Sequence, residues 1–494
     1  MDIQNTITTQ DIVAATNANL HGGSDLTVTD VTHDSRKAAA GSLFVAIRGE
    51  RFDAHEFIPQ VMANGAAGVI SEQPCPDGFA GAWLQVTHAR KAQAIAADLV
   101  QGQPSRQLKL VGLTGTNGKT TCVYLLTAMC EAAGRRAAMM TTVEFRVGDK
   151  RGPAEYTTPE TSDTQRFLRQ AVDAGCSVAA MEASSQALDL NRCDQLYYSV
   201  AAFTNLTRDH LDYHHTMEAY WAAKRRLFDG SLGSFPDVSV INADDQYGAE
   251  LAAEIRLFVR RVVTYALDKE ADITAVDVRE TLAGMEFTLR TPAGVRKAQT
   301  PLVGRPHLYN LLTATGVALA LGCDLADITR AMKTCGGAPG RFETVPHAGD
   351  FTVVVDYAHT DDALANVLRT ARAVATGKII TVFGCGGDRD RTKRPVMGRL
   401  AGELSDIVIA TSDNPRTEDP EKILDDVEVG LRESKRPYER ITDRRAAVHR
   451  AIAQAQAGDL VLIAGKGHED YQIIGREKFH FDDREVAREV LRKS

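Results

Sequence analysis

The chain has 494 residues, with 57 Lys and Arg against 65 Asp and Glu and a formal net charge of −8. That acidic balance argues against nucleic-acid binding as the main activity, and the length fits about three domains of ordinary globular composition. Eight cysteines without a C-x-x-C pair read as reduced cytosolic thiols. The first residues, Met1 to Thr6, lack the basic and apolar regions of a signal peptide, and no apolar run is long enough to cross a bilayer. The expectation is a soluble, cytoplasmic α/β protein.

Over residues 1–106, short apolar runs at Leu43–Ile47, Gly68–Ile70 and Trp83–Val86, with a helical pattern near Phe57–Asn64, predict a small α/β domain. Within it His33-Asp-Ser-Arg36 reads, by composition, as a loop between strands. Gln101-Gly-Gln-Pro-Ser105 reads as the linker onward.

Residues 107–340 alternate strand and helix. The runs Leu108–Leu113, Val178–Glu182, Val200–Thr204, Val238–Asn242 and Val262–Tyr265 are continuously apolar or nearly so, as in a parallel sheet covered on both faces. Period-two alternation at Met285–Leu289 predicts an antiparallel edge hairpin within 273–300. The first run breaks into Thr114-Gly115-Thr116-Asn117-Gly118, and a helix is predicted from Lys119. A strand, a glycine loop and a helix N-terminus aim free N–H groups and the helix dipole at one place, an anion cradle. Lys119 can reach the terminal phosphates of a nucleotide, and Thr120 can offer its hydroxyl to Mg²⁺. The strict P-loop pattern has glycine where this chain has Leu113, so the match is partial; the stretch reads as an ATP site.

Three features nearby could carry chemistry. Glu182 ends an apolar strand, where a carboxylate either holds Mg²⁺ or faces solvent; Ser184-Ser185 and the upstream loop favour metal. Thr204-Asn-Leu-Thr-Arg-Asp-His-Leu-Asp-Tyr-His-His215 gathers three histidines, but nothing completes a zinc pattern. It reads as one histidine assisting a second Mg²⁺, or as structural histidines. Lys224 lies in a short basic helix that reads on composition as a solvated face.

From 341 to 494 the alternation restarts at Phe351–Asp356, Ile379–Phe383, Ile407–Ala410 and Leu460–Ala464. Each run ends at a polar or glycine-rich loop: Asp356-Tyr-Ala-His359, Gly384-Cys-Gly-Gly-Asp-Arg389, Ser412-Asp-Asn-Pro-Arg416 and Gly465-Lys-Gly-His-Glu469. Ligands of open α/β sheets bind beyond the carboxyl ends of the strands, so a second site is expected here.

The order of these motifs resembles the Mur ligases, the ATP-dependent amino-acid-adding enzymes of peptidoglycan synthesis. The resemblance rests on Thr114–Thr120, Met181–Ser185, Asn205–Asp212, Lys224, Gly304-Arg-Pro-His-Leu-Tyr-Asn310, Gly340–Glu343 and Asp356–His359, and spans nearly the whole chain. It implies three domains: a small N-terminal α/β domain that binds the UDP-linked substrate, a central P-loop-type parallel-sheet ATPase domain, and a C-terminal Rossmann-like domain for the amino acid. Asp34-Ser-Arg36 and Asp413-Asn-Pro-Arg416 narrow it to the branch that adds meso-diaminopimelate to a UDP-muramoyl-dipeptide.

The resemblance also implies roles. Gly115, Thr116, Asn117, Gly118, Lys119, Thr120 and Thr121 would cradle ATP, with Asn310, Arg341 and Asp356 contacting it. Thr120 and Glu182 would hold one Mg²⁺, and His210 with a carbamylated Lys224 a second. Lys119, Glu182, His210 and Lys224 would form the catalytic set. Ser35, Thr157, Thr158, Ser184 and Arg192 would meet the UDP-muramoyl-dipeptide. Arg389, Asp413, Asn414, Pro415, Arg416, Gly465 and Glu469 would form the diaminopimelate pocket. Gln186, Leu190 and Asp361 depart from the residues usual in the family. Neither nucleic acid nor membrane insertion is expected, and the expected state is a monomer. The alternatives are an L-lysine-adding homologue, a folylpolyglutamate synthetase-like ligase, or a nucleotide-dependent binding protein without catalysis.

Overall fold

The computed structural model describes residues 6–23, 25–49 and 52–492. Three main sheets succeed one another along the chain. The first has five strands in the order Asn19–His21, Ala82–Gln85, Gly68–Ser71, Ser42–Val45, Asp30–Thr32, and only its first strand is antiparallel. The apolar runs read from sequence supply its middle strands; the two short, partly polar edge strands carry no such signal.

The central sheet has eleven strands, and its order is built around Lys109–Thr114. That strand pairs in parallel with Val178–Glu182 on one side and Val200–Phe203 on the other. The expected antiparallel edge is present as Ile273–Thr281, Gly284–Thr291 and Gly294–Thr300. A second hairpin, Glu144–Val147 with Lys150–Pro153, extends the opposite edge. Its sequence carries a Gly148-Asp149 turn, a hairpin signal of the recognised kind.

Strand side chains alternate between two buried layers. Val111, Leu113, Val200 and Ala202 join the helices Lys119–Ala132 and Arg305–Ala320, whereas Leu110, Ala201 and Phe203 join the helices Thr161–Asp173 and Met217–Arg225. Both faces being covered explains why the sequence shows continuous apolar runs rather than alternation. The C-terminal sheet repeats the plan, with five parallel strands and a short antiparallel one in the order Glu343–Thr344, Thr352–Asp356, Leu460–Ala464, Ile379–Phe383, Ile407–Ala410, Tyr438–Arg440.

The expected linker is a packed turn: Pro104 and Ser105 are buried, and Ser105 Oγ accepts the Tyr197 N–H at 3.1 Å. No helix among the described residues is long and apolar enough to cross a membrane.

Candidate active site

The central sheet order reverses direction at Lys109–Thr114, so the crevice beyond its carboxyl end is the natural ligand position. The loop that fills it is braced from behind. Thr116 N–H donates to the Asn205 carbonyl at 2.8 Å, Asn117 N–H to Asn205 Oδ1 at 2.9 Å, and Thr204 Oγ1 to the Asn117 carbonyl at 2.7 Å. Gly118 has φ 90°, and a Cβ there would stand 2.3 Å from Asn310 Oδ1. Only glycine allows helix Lys119–Ala132 to start so close to Asn310. Among the described residues no side chain caps that helix start, so its first N–H groups remain available to an anion. Thr121 is buried in the same turn.

Thr120 Oγ1 donates to Glu182 Oε1 at 2.8 Å, and Glu182 is 1% exposed. The strand-end carboxylate therefore faces the loop rather than solvent. Thr142, which sequence reasoning passed over, donates its N–H to the same oxygen at 2.9 Å and its hydroxyl to Thr157 Oγ1 at 3.0 Å. Its only sequence signal is its place directly after an apolar strand, Ala137–Met140, and Thr141.

Lys224 corrects the sequence expectation most clearly. Instead of a solvated basic face it is 1% exposed, and its Nζ donates to the Gly115 carbonyl at 2.7 Å. Lys119 Nζ donates to the same carbonyl at 3.0 Å and to that of Thr116 at 2.9 Å. Burial, then the neighbouring Lys119 charge, push the Lys224 amine well below its ordinary pKa. Burial lowers Lys119 too, against the pull of Glu182 and Asp209.

His210 has φ 53° and stands 3.5 Å from Asp209 Oδ2; burial lowers its pKa against Asp209. His214 is tied to Ser185 Oγ at 2.9 Å, a structural role. Among the described residues no three His, Cys, Asp or Glu side chains converge as a metal cluster. The oxygen pair Thr120–Glu182 fits a hard cation; an unmodified Lys224 beside His210 does not, because it brings a second amine and no anion.

On the N-terminal side, Ser35 lies in the turn before strand Ser42–Val45, beside an Asp34–Arg36 ion pair of 2.8 Å. That turn meets the central domain through Lys37–Asp163 at 3.0 Å. Thr158 Oγ1 donates to the Glu182 carbonyl at 2.7 Å and accepts from Ser184 N–H at 3.1 Å. Arg192 is paired with Glu160 at 2.9 Å. Thr157, Thr158, Ser184 and Arg192 therefore share one wall, continuous with Glu182.

From the C-terminal side, Asp356 accepts N–H groups of Phe342 and Ala358 at 2.7 and 2.8 Å; burial raises its pKa against Arg341. The Arg341 guanidinium lies 4.5 Å from the Tyr357 ring centroid, and among the described residues its buried Nε has no hydrogen-bond partner. A cavity of about 110 Å³ opens between this segment and the P-loop, lined by Asn117, Thr120, Asn310, Arg341 and Asp356 among others.

The expected amino-acid pocket is a side-chain network. Asn414 Nδ2 donates to Glu469 Oε2 at 2.9 Å, and Gly465, with φ 120°, passes close to Asp413. Lys466, which sequence reasoning left unassigned inside a motif it did single out, is fully buried between Asp413 (3.2 Å), Asn414 Oδ1 (3.0 Å) and Glu469 (3.5 Å). Burial opposes the Asp413 charge, but Lys466 and Arg444 outweigh it and hold that carboxyl below the usual range. Burial and Asp413 push Glu469 up. Pro415 is buried over Gly387. Arg416, at φ 51°, donates Nη1 to the Gly387 carbonyl at 2.8 Å, and among the described residues it has no carboxylate partner. Arg389 is exposed and close by, since a Cβ at Gly386 would stand 2.9 Å from Arg416 Nη1 and 3.8 Å from Arg389 Cγ.

Three family descriptions match the chain: Mur ligase family, catalytic domain, over residues 27–99; Mur ligase middle domain, over 113–318; and Mur ligase, glutamate ligase domain, over 340–467. A UDP-N-acetylmuramoyl-L-alanyl-D-glutamate--2,6-diaminopimelate ligase from Solibacter usitatus is 44% identical over 465 residues, covering 94% of each chain. One of the same name from Geobacillus thermodenitrificans is 44% identical, covering 96% of this chain and 97% of its own. A solved structure of a ligase of that name is 34% identical with a TM-score of 0.71, covering 99% of both chains.

Proposed function

We propose, from the premise that the chain belongs to the Mur ligase family, that it joins meso-diaminopimelate to the D-glutamate carboxylate of UDP-N-acetylmuramoyl-L-alanyl-D-glutamate in peptidoglycan precursor synthesis. It is an ATP-dependent ligase. The observation that carries the choice of amino acid is Arg416, a half-buried guanidinium that among the described residues hydrogen-bonds only carbonyls, one of them that of Asn414, whose side chain holds Glu469. Its free donors suit the distal carboxylate of diaminopimelate, and Glu469 suits the ammonium next to it. Lysine lacks that carboxylate.

A carboxylate is a poor acyl donor. In this reading the substrate carboxylate first attacks the γ-phosphate of ATP, giving an acyl phosphate and ADP. The amine then attacks the acyl carbon, and phosphate leaves. The first step brings two anions together, and Lys119 with the uncapped helix start supplies positive potential where they meet. Bound magnesium would add charge neutralisation, with Thr120 and Glu182 holding one ion and His210 with modified Lys224 the other. A buried Lys224 amine of depressed pKa is the form that adds carbon dioxide, losing one proton and becoming a carbamate anion. Thr157, Thr158, Ser184, Arg192 and Ser35 would hold the UDP-muramoyl-dipeptide. The same reading divides the chain at 1–106, 107–340 and 341–494, with one main sheet in each, and suits a cytoplasmic place, where ATP is available.

Incubation with ATP, Mg²⁺, the UDP-dipeptide and meso-diaminopimelate is expected to release phosphate in step with a UDP-tripeptide product. Phosphate release without that product would count against the reading.

A further inference from the structure

Strand Thr352–Asp356 runs into Tyr357-Ala-His359, and helix Asp361–Val374 follows with Thr360 as its N-cap. This short loop stands between the two halves of the site. On the nucleotide side, Asp362 accepts from Asn117 of the P-loop at 3.0 Å and from Thr207 at 3.1 Å, and Asp361 pairs with Arg208. On the amino-acid side, the Tyr357 ring packs 5.0 Å from that of His468, which adjoins Glu469.

His359 is partly exposed at this junction and is held firmly. Its ring meets Tyr357 edge-on at 4.6 Å, its carbonyl accepts Lys393 Nζ at 3.0 Å, and its Nδ1 stands 3.0 Å from the Tyr357 carbonyl. A carbonyl only accepts, so the hydrogen bond assigns the proton to Nδ1 and leaves the lone pair on Nε2. Among the described residues nothing hydrogen-bonds Nε2. The charged and titratable groups that face this histidine are Asp209, Lys393 and Arg341, with Asp413 and His468 from the amino-acid side. Burial lowers its pKa below 6.5, partly offset by Asp209, so the ring is neutral at neutral pH.

We propose that His359 Nε2 is the base that takes a proton from the incoming amine as it attacks the acyl phosphate. The proposal rests on the acyl-phosphate reading above. The amine arrives as an ammonium and must lose two protons to become an amide N–H. One passes to Nε2, freeing the nitrogen lone pair that forms the C–N bond. As the C–O bond to phosphate breaks, the second passes to the departing group, which leaves as hydrogenphosphate. The imidazolium, faced by Asp209, then returns its proton to solvent.

The test compares full-length wild type with His359→Gln in three assays. Label exchange between ADP and ATP, dependent on the UDP-dipeptide and run without amino acid, reports acyl-phosphate formation. It is expected to stay within about twofold of wild type. Amide formation with meso-diaminopimelate is expected to fall roughly 10²–10⁴-fold in kcat, the usual span for a lost general base. Hydroxylamine at pH 8, which arrives already neutral, is expected to trap the acyl phosphate at the same rate in both proteins. Unchanged amide formation, or hydroxamate formation that falls in proportion to it, would overturn the proposal. Loss of exchange in the variant would overturn it too, because the residue would then serve the first step. Absence of exchange in wild type would instead remove the acyl-phosphate reading itself. Wild type alone supplies an arm that needs no folded variant. Its amide formation should fall on the acid side, below pH 6.5, where hydroxamate formation, corrected for hydroxylamine's own protonation, does not; coincident profiles would refute the role.

Discussion

The P-loop and the Asp413–Arg416 loop both follow the carboxyl end of a parallel strand, yet they are held in different ways. Around Gly115–Lys119 the contacts are mostly to backbone: carbonyls of Gly115 and Thr116 take the lysines, and N–H groups of Thr116 and Asn117 lean on Asn205. Around Asp413–Glu469 the buried charges pair side chain to side chain, with Lys466 at the centre, while the Arg416 guanidinium meets carbonyls and, among the described residues, no carboxylate. A backbone cradle can hold any phosphate chain, whereas a network of paired and unpaired charges selects one amino acid. In the proposed reading the nucleotide end is therefore general machinery, and specificity resides in the other loop.

Breaking the nucleotide end should be the most damaging. Lys119→Ala is expected to reduce phosphate release by roughly 10³-fold, since a positive group aimed at developing charge is lost. Substantial turnover in that variant would remove the P-loop from the mechanism. Lys224→Ala should fall nearly as far, by roughly 10²-fold, and recover in part when formate or acetate is added, because a small carboxylate can replace the carbamate. Recovery with neutral amides of the same size would contradict that account. On the amino-acid side, Arg416→Ala should raise KM for meso-diaminopimelate about 10–100-fold, the worth of a charge-assisted hydrogen bond. KM for ATP and for the UDP-dipeptide should hardly move; a parallel rise in all three would mean the loop is structural. The smallest effect is expected where the domains meet at the surface. Asp361 departs from the family's usual proline and pairs with the half-exposed Arg208, so Asp361→Ala should change KM for ATP less than about fivefold, with the difference fading as salt rises.

The contrast also explains what the sequence made legible. Parallel strands buried on both faces announce themselves as apolar runs, and the glycine loop after Leu113 has a spacing tied to its chemistry. Edge elements such as Asn19–His21 and Tyr438–Arg440 are short and half polar, so neither periodicity nor run length marks them. Lys224 was illegible on composition because a basic helix, Met217–Arg225, looks the same whether its lysine faces water or the P-loop; only the family resemblance singled it out. Thr142, Lys466 and Asp362 went unassigned because their partners are far away in the chain, at Glu182, at Asp413 and Asn414, and at Asn117.

Specificity for the second carboxylate is the central claim, and the ratio of kcat/KM for meso-diaminopimelate to that for L-lysine tests it most directly. With ATP and the UDP-dipeptide saturating, wild type is expected to favour meso-diaminopimelate by roughly 10⁴, because lysine leaves the Arg416 donors without their anion. Comparable values for the two amino acids in wild type would contradict the reading of Arg416 and return the chain to the lysine-adding branch.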